Sequence, residues 1–184
     1  MTTTLNSQAG QAELGRLIRE HAYLEGDFVL RSGRRSRYYL DKYRFETRPE
    51  LLGALGTMIA ARVRELEPSA VRLAGPELGA VALAAAASLA SGIPFLIVRK
   101  EAKGYGTEQR LEGLFEEGDR VCLVEDVVTS GGAAIDAVVA LRAAGLDCRT
   151  AVCVVDREEG GGQALARAGV EFAPLFRANE LLEL

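Results

Sequence analysis

The chain has 184 residues, 48% of them apolar and 26% charged, which suits one globular domain with a full hydrophobic core and argues against extensive disorder. A formal net charge of −4 speaks against a general binder of nucleic acid. The opening MTTTLNSQAG lacks a basic segment followed by an apolar one, so it does not read as a secretory signal, and the most apolar stretch, Ala80 to Ala90, is too short to span a bilayer.

In chain order, Gln11 to Leu24 places Leu14, Leu17, Ile18 and Tyr23 at helical spacing and predicts an amphipathic first helix. Phe28 to Leu30 and Tyr38 to Leu40 are short β-type runs on either side of a basic, glycine-containing turn. Arg48-Pro49 opens a helix, with proline at a tolerated early position, that runs to about Glu65. From there strands and helices alternate. Val71 to Ala74 is a strand ended by Gly75-Pro76, Glu77 to Ala90 an alanine-rich helix, and Phe95 to Val98 a strand. Val121 to Glu125 is a strongly apolar strand, Gly132 to Ala144 a helix, and Thr150 to Val155 a strand. A helix around Gly162 to Ala168 and the segment from Val170 to Leu175 complete the series. Such alternation gives an α/β fold with a parallel sheet, helices on both faces and ligands outside the carboxyl ends of the strands. The loops after Ala74, Val98, Glu125 and Val155 are therefore the places to look.

Cys122, Cys148 and Cys153 all sit in strand-like runs without ligand-type spacing, which predicts buried, reduced thiols in a cytosolic protein. One histidine, His21 in the first helix, argues against a histidine-based metal site. Positive charge concentrates between Arg31 and Arg44 and between Arg99 and Lys103; each group is either an anion site or a solvated face.

The most informative segment ends a strand in two acids, Glu125-Asp126, and continues through Val127, Val128, Thr129, Ser130, Gly131 and Gly132 into a helix. Small residues at a helix N-terminus can present N–H groups and hydroxyls to a phosphate, helped by the helix dipole. Carboxylates would repel a phosphate but accept hydrogen bonds from sugar hydroxyls. The combination points to a phosphorylated sugar. Gly-x-x-x-x-Gly-Lys-Ser/Thr is absent, Gly160-Gly161-Gly162 is misplaced for a dinucleotide fingerprint, and Thr129-Ser130-Gly131 is no hydrolase elbow.

Val121 to Ala133, VCLVEDVVTSGGA, matches at every position the phosphoribosyl-pyrophosphate signature of type I phosphoribosyltransferases. Three further segments resemble the orotate enzymes in particular. They are FVLRSGRRSRYY from Phe28 to Tyr39, RKEAKGYG from Arg99 to Gly106 followed by RLEG from Arg110, and VVDRE from Val154 to Glu158. Together they cover most of the chain in the family's order.

The resemblance implies a type I phosphoribosyltransferase fold over residues 1–184, a central mainly parallel sheet flanked by helices, with a small hood from the N- and C-terminal segments. It implies transfer of the phosphoribosyl group from 5-phosphoribosyl-1-pyrophosphate to orotate, giving orotidine 5′-phosphate and pyrophosphate in pyrimidine synthesis. Glu125 and Asp126 would hold the ribose hydroxyls, and Thr129, Ser130, Gly131, Gly132 and Ala133, entered through Val127 and Val128, would wrap the 5′-phosphate. Arg99, Lys100 and Lys103 would meet the pyrophosphate, with Lys103 and Tyr105 on a mobile loop at about 103–113. Lys103, Glu125 and Asp126 form the expected catalytic set. Arg31, Tyr38, Tyr39, Thr129 and Arg157 would contact orotate. Mg²⁺ would be held mainly by the substrate rather than directly by protein. The enzyme would be a cytoplasmic homodimer whose loop serves the neighbouring subunit, with no nucleic-acid or membrane partner.

The chain departs from the family's common pattern in three places. Arg31 replaces a lysine, keeping the charge but changing its geometry. Tyr105 replaces a loop histidine. No lysine follows the turn Gly75-Pro76-Glu77-Leu78-Gly79, which is expected to meet the pyrophosphate through its backbone. Two other readings stay open: the same fold serving another base such as a purine, and a regulator that binds phosphoribosyl pyrophosphate without catalysis.

Overall fold

The structure, a computed structural model, describes residues 8–29, 33, 35–101 and 110–184. In chain order the elements are α1 (Gln8–Ala22), β1 (Tyr23–Val29), β2 (Arg35–Leu40), α2 (Tyr43–Glu46), α3 (Pro49–Leu66), β3 (Arg72–Pro76), α4 (Gly79–Ser91) and β4 (Phe95–Val98). They continue with β5 (Leu111–Glu112), β6 (Arg120–Val128), α5 (Gly132–Ala143), β7 (Asp147–Asp156), α6 (Gly161–Arg167), β8 (Glu171–Arg177) and α7 (Ala178–Glu183). A six-stranded sheet runs β5-β4-β3-β6-β7-β8, parallel throughout except for the short edge strand β5; β1 and β2 form a separate antiparallel hairpin.

β6 lies between β3 and β7, and Val121, Cys122, Leu123 and Val124 are wholly buried there. Its side chains alternate between two cores. Cys122 and Val124 join α1, α3 and α4 on one face, while Val121 and Leu123 join α5 and α6 on the other. α3 begins with Pro49 in its first turn and turns Leu51, Leu55, Ile59 and Val63 inward. All three cysteines are buried free thiols, and burial pushes Cys122 up to about 12.

Several boundaries differ from the sequence reading. α1 ends at Ala22 because Tyr23 pairs with Leu40 and starts the hairpin, so Tyr23 is no part of the helix. α4 starts at Gly79 rather than Glu77 because β3 runs through Gly75 and Pro76 alongside β4. Glu125 and Asp126 do not end their strand. Val127 and Val128 extend the ladder against Val155 and Asp156, which leaves both acids inside the sheet, 7% and 4% exposed. The sequence reading also lacks α2, β5 and α7.

The two chain ends meet, as expected for the hood. Gln11 on α1 donates from Nε2 to the Leu175 carbonyl at 2.8 Å, and Leu181 of α7 is buried. A narrow cavity there is bounded by Arg19, Tyr23, Tyr38, Arg157 and Leu181.

Candidate active site

The acid pair takes its properties from burial in β6. Glu125 is pushed up to about 8, first by loss of solvent and then by the neighbouring Asp126 charge, and its Oε1 finds no hydrogen-bond partner among the described residues. Asp126 is ion-paired instead: Lys42, arriving from the start of α2, bonds Asp126 Oδ2, and the Val127 N–H donates to Oδ1. Burial pulls the Lys42 ammonium down, but the charge and hydrogen bond of Asp126, with the Glu46 charge, together outweigh it and leave it raised. Glu46, one turn further along α2, is 4% exposed and pushed up to about 8 by burial and by Asp126. The pair is thus one salt-bridged carboxylate beside a carboxyl whose protonated form burial favours. Such a pair can both accept and donate hydrogen bonds.

Beyond Val128 the chain turns into α5. Thr129, Ser130, Gly132 and Ala133 are exposed, whereas Gly131 is buried at φ 82°, a left-handed conformation open to glycine at little cost. The turn and helix start line an open cleft of about 520 Å³ shared with Glu125 and Lys100. The small-residue turn and one member of the acid pair, Glu125, therefore border one space. Gly161 packs against this turn, where a Cβ would stand 2.5 Å from the Thr129 carbonyl oxygen.

Arg99 and Lys100 leave β4 beside this cleft. The Lys100 N–H donates to Glu77 Oε1 at 2.8 Å, and Arg99 lies 3.8 Å from Glu112 of β5. Arg110, across the strand pair, forks onto Asp136 of α5 at 3.2 and 2.6 Å. Lys103 and Tyr105, with most of the 103–113 loop, lie outside the described residues, as does Arg31.

Arg157 follows β7, and its N–H donates to the Val128 carbonyl at 2.8 Å, tying this loop to the end of β6. The side chain is 7% exposed, bonds Glu159 at 3.0 Å and lies over the Tyr38 ring at 5.0 Å; its Nε has no partner among the described residues. Tyr38 stacks in turn on Tyr23. Tyr39, next along β2, packs on Phe28 and is 41% exposed. Strand alternation thus brings Tyr38, and not Tyr39, to Arg157.

This geometry accords with the comparisons. The phosphoribosyl transferase domain family matches residues 44–171. A curated orotate phosphoribosyltransferase from Methanocella arvoryzae is 51% identical over 158 residues, 85% of this chain and 88% of that protein. The chain belongs to the orotate phosphoribosyltransferase family. Its type I phosphoribosyltransferase fold superimposes on the orotate phosphoribosyltransferase of Aeropyrum pernix with TM-score 0.82 and 34% identity over 92% of this chain and 96% of that one. The Mycobacterium tuberculosis family member, solved in complex with 5-phospho-α-D-ribosyl 1-diphosphate, gives TM-score 0.76 and 30% identity over 93% of this chain and 98% of that one.

Three residues of the site escape sequence reasoning. Lys42 reads only as part of the basic stretch from Arg31 to Arg44, and nothing local marks Glu46. Gly161 abuts the turn after Val128, while Gly79, which reads only as part of the turn at 75–79, abuts both Lys42 and Asp126. The only signal for Gly161 was the Gly160-Gly161-Gly162 run, which marks close packing here.

Proposed function

We propose that this chain is an orotate phosphoribosyltransferase, transferring the phosphoribosyl group of 5-phosphoribosyl-1-pyrophosphate to orotate with release of pyrophosphate, a step of pyrimidine synthesis. The observation that carries the reading is the shared cleft. Glu125 of the acid pair and the turn at 129–133 border one space at the carboxyl edge of the sheet, with Arg157 held at the same edge.

In this reading the C1′–oxygen bond to pyrophosphate breaks as a bond from the orotate ring nitrogen to C1′ forms, the nitrogen's proton leaving to the departing pyrophosphate or to water, through an oxocarbenium-like state comparable to glycoside chemistry. Asp126 and Glu125 grip the ribose 2′- and 3′-hydroxyls. Thr129, Ser130 and the amides of residues 131–133 hold the 5′-phosphate at the start of α5. Arg99, Lys100 and Lys103 meet the departing pyrophosphate, and preorganised cations of this kind lower the cost of its developing charge. The Nε of Arg157, without a partner among the described residues, suits a planar carboxylate such as that of orotate, with Tyr38 beside it; Arg31 is proposed as a further contact. Tyr39, Tyr105 and the turn at 75–79 complete the proposed contacts.

Mg²⁺ fits this donor set as an ion brought in on the pyrophosphate and ribose hydroxyls, with Glu125 and Asp126 behind those hydroxyls, and would neutralise leaving-group charge. A homodimer in which Lys103 acts in the partner's site completes the proposal. Three buried free thiols accord with a reducing cytoplasm. No helix among the described residues is long and apolar enough to cross a membrane.

A base panel tests the assignment. With phosphoribosyl pyrophosphate and Mg²⁺ present, orotate should be consumed and adenine, hypoxanthine and uracil left unchanged. Turnover of a purine in place of orotate would give the same fold a different substrate.

A further inference from the structure

α2 is a single helical turn, yet it carries two charged residues into the interior. Phe45 is wholly buried and pins the turn to the core, and the Glu46 N–H donates to the Lys42 carbonyl at 3.1 Å. Lys42 and Glu46 are four residues apart, so their side chains leave one face of the turn together. That face meets β6.

The Lys42 ammonium bonds Asp126 Oδ2 and stays partly open to solvent, its side chain 31% exposed against 6% for Asp126. Glu46 is 4% exposed, and its Oε1 has no hydrogen-bond partner among the described residues. A buried acid beside two more acids costs stability, and an apolar residue of similar size would pack there without that cost. Glycine at position 79 completes the arrangement: a Cβ there would overlap the Asp126 carboxylate and stand 2.7 Å from Lys42 Nζ. Three separate segments, α2, the start of α4 and β6, therefore converge on one carboxylate.

We propose that Lys42 and Glu46 are positioning residues for phosphoribosyl transfer, holding the Asp126 carboxylate so that its free lone pair faces the ribose. A carboxylate offers about four acceptor sites. Lys42 takes one on Oδ2 and the Val127 N–H one on Oδ1, which locks the rotation of the group; with a third turned to Glu46, one site remains for a ribose hydroxyl. Glu46 closes the buried side of the pair, where its proton can be donated to Asp126. Lys42 also acts on Glu125, where its charge opposes the effects of burial and of Asp126. A single lysine thus pairs with one acid and opposes the upward shift of the other. This inference rests on the reading of Asp126 as a ribose ligand.

The test is steady-state kinetics of the full chain, with each substrate varied in turn, for Lys42→Met, Lys42→Arg, Glu46→Leu, Glu46→Gln and Asp126→Asn. Lys42→Met and Glu46→Leu should raise KM for phosphoribosyl pyrophosphate about tenfold while leaving KM for orotate within about twofold. Lys42→Arg, which keeps the charge, and Glu46→Gln, which keeps a donor, should recover most of the loss. The double variant Lys42→Met with Asp126→Asn should be little worse than Asp126→Asn alone, because the two act as a unit. If Asp126→Asn impairs phosphoribosyl-pyrophosphate kinetics but Lys42→Met and Glu46→Leu only lower the melting temperature, the positioning role is wrong and the Asp126 reading stands. If Asp126→Asn leaves those kinetics intact, the ribose reading itself fails. Should Lys42→Met not fold, Lys42→Gln carries the same comparison.

Discussion

Gly131 and Gly161 meet backbone to backbone: a Cβ on Gly131 would stand 3.1 Å from the Gly161 carbonyl oxygen, and one on Gly161 would stand 3.3 Å from the Gly131 nitrogen. The turn after β6 and the start of α6 are thus fitted without room for a side chain at either point. Gly161→Ala should displace the 129–131 turn and raise KM for phosphoribosyl pyrophosphate about tenfold or more. Gly162→Ala is the control, since a Cβ there meets only the Phe172 ring at an ordinary 3.4 Å. It should leave KM unchanged, and replacing a helical glycine should stabilise α6 by up to ~1 kcal/mol. Equal kinetics for the two variants would remove the turn from the phosphate site.

Arg157 is buried against Tyr38 and bonded to Glu159, so its guanidinium is held in one plane. Arg157→Lys retains charge but loses the fork and the stacking. Varying orotate at saturating phosphoribosyl pyrophosphate, KM for orotate should rise at least about tenfold, roughly 1.4 kcal/mol. A rise in KM for phosphoribosyl pyrophosphate instead would move Arg157 out of the base pocket.

Burial raises Glu46 and Glu125 to about 8, while the unfolded chain releases these protons in the ordinary glutamate range. The folded protein therefore binds more protons between about pH 5 and about pH 8, and stability declines as pH rises through that window, then levels off. Melting temperature measured against pH should follow this course. Glu46→Gln should flatten part of the decline and melt higher than the parent at about pH 8. A melting temperature that climbs from about pH 5 to about pH 8 would contradict the placement of both acids.

The proposed sharing of Lys103 across a dimer predicts complementation. Lys103→Ala and Asp126→Ala should each be inactive, and mixing them should restore activity, because a hybrid dimer holds one site with both residues intact. Absence of recovery, with subunit exchange confirmed by mass spectrometry, would confine Lys103 to its own subunit.

The parallel core and the phosphate turn were legible because both are local: apolar runs alternate with helices, and thirteen consecutive residues, 121–133, spell the turn. Arg157 could be singled out because the VVDRE segment from Val154 to Glu158 resembles the orotate enzymes. Lys42, Glu46 and Gly161 could not be found that way. Their roles arise from contacts with β6 and the following turn across long stretches of chain, and nothing in their immediate neighbours records the distant partner. The strand end was misjudged for a similar reason. Two acids look like the close of a strand, but the ladder with β7 carries β6 on to Val128.

The central claim is transfer, as distinct from binding, and stoichiometry tests it most directly. Pyrophosphate release should be followed alongside orotate consumption in one reaction with Mg²⁺. The account predicts one pyrophosphate formed for each orotate lost, and no loss of orotate when phosphoribosyl pyrophosphate is withheld. Tight binding of phosphoribosyl pyrophosphate with neither orotate consumed nor pyrophosphate released would contradict it, and would make the chain a sensor of that ligand.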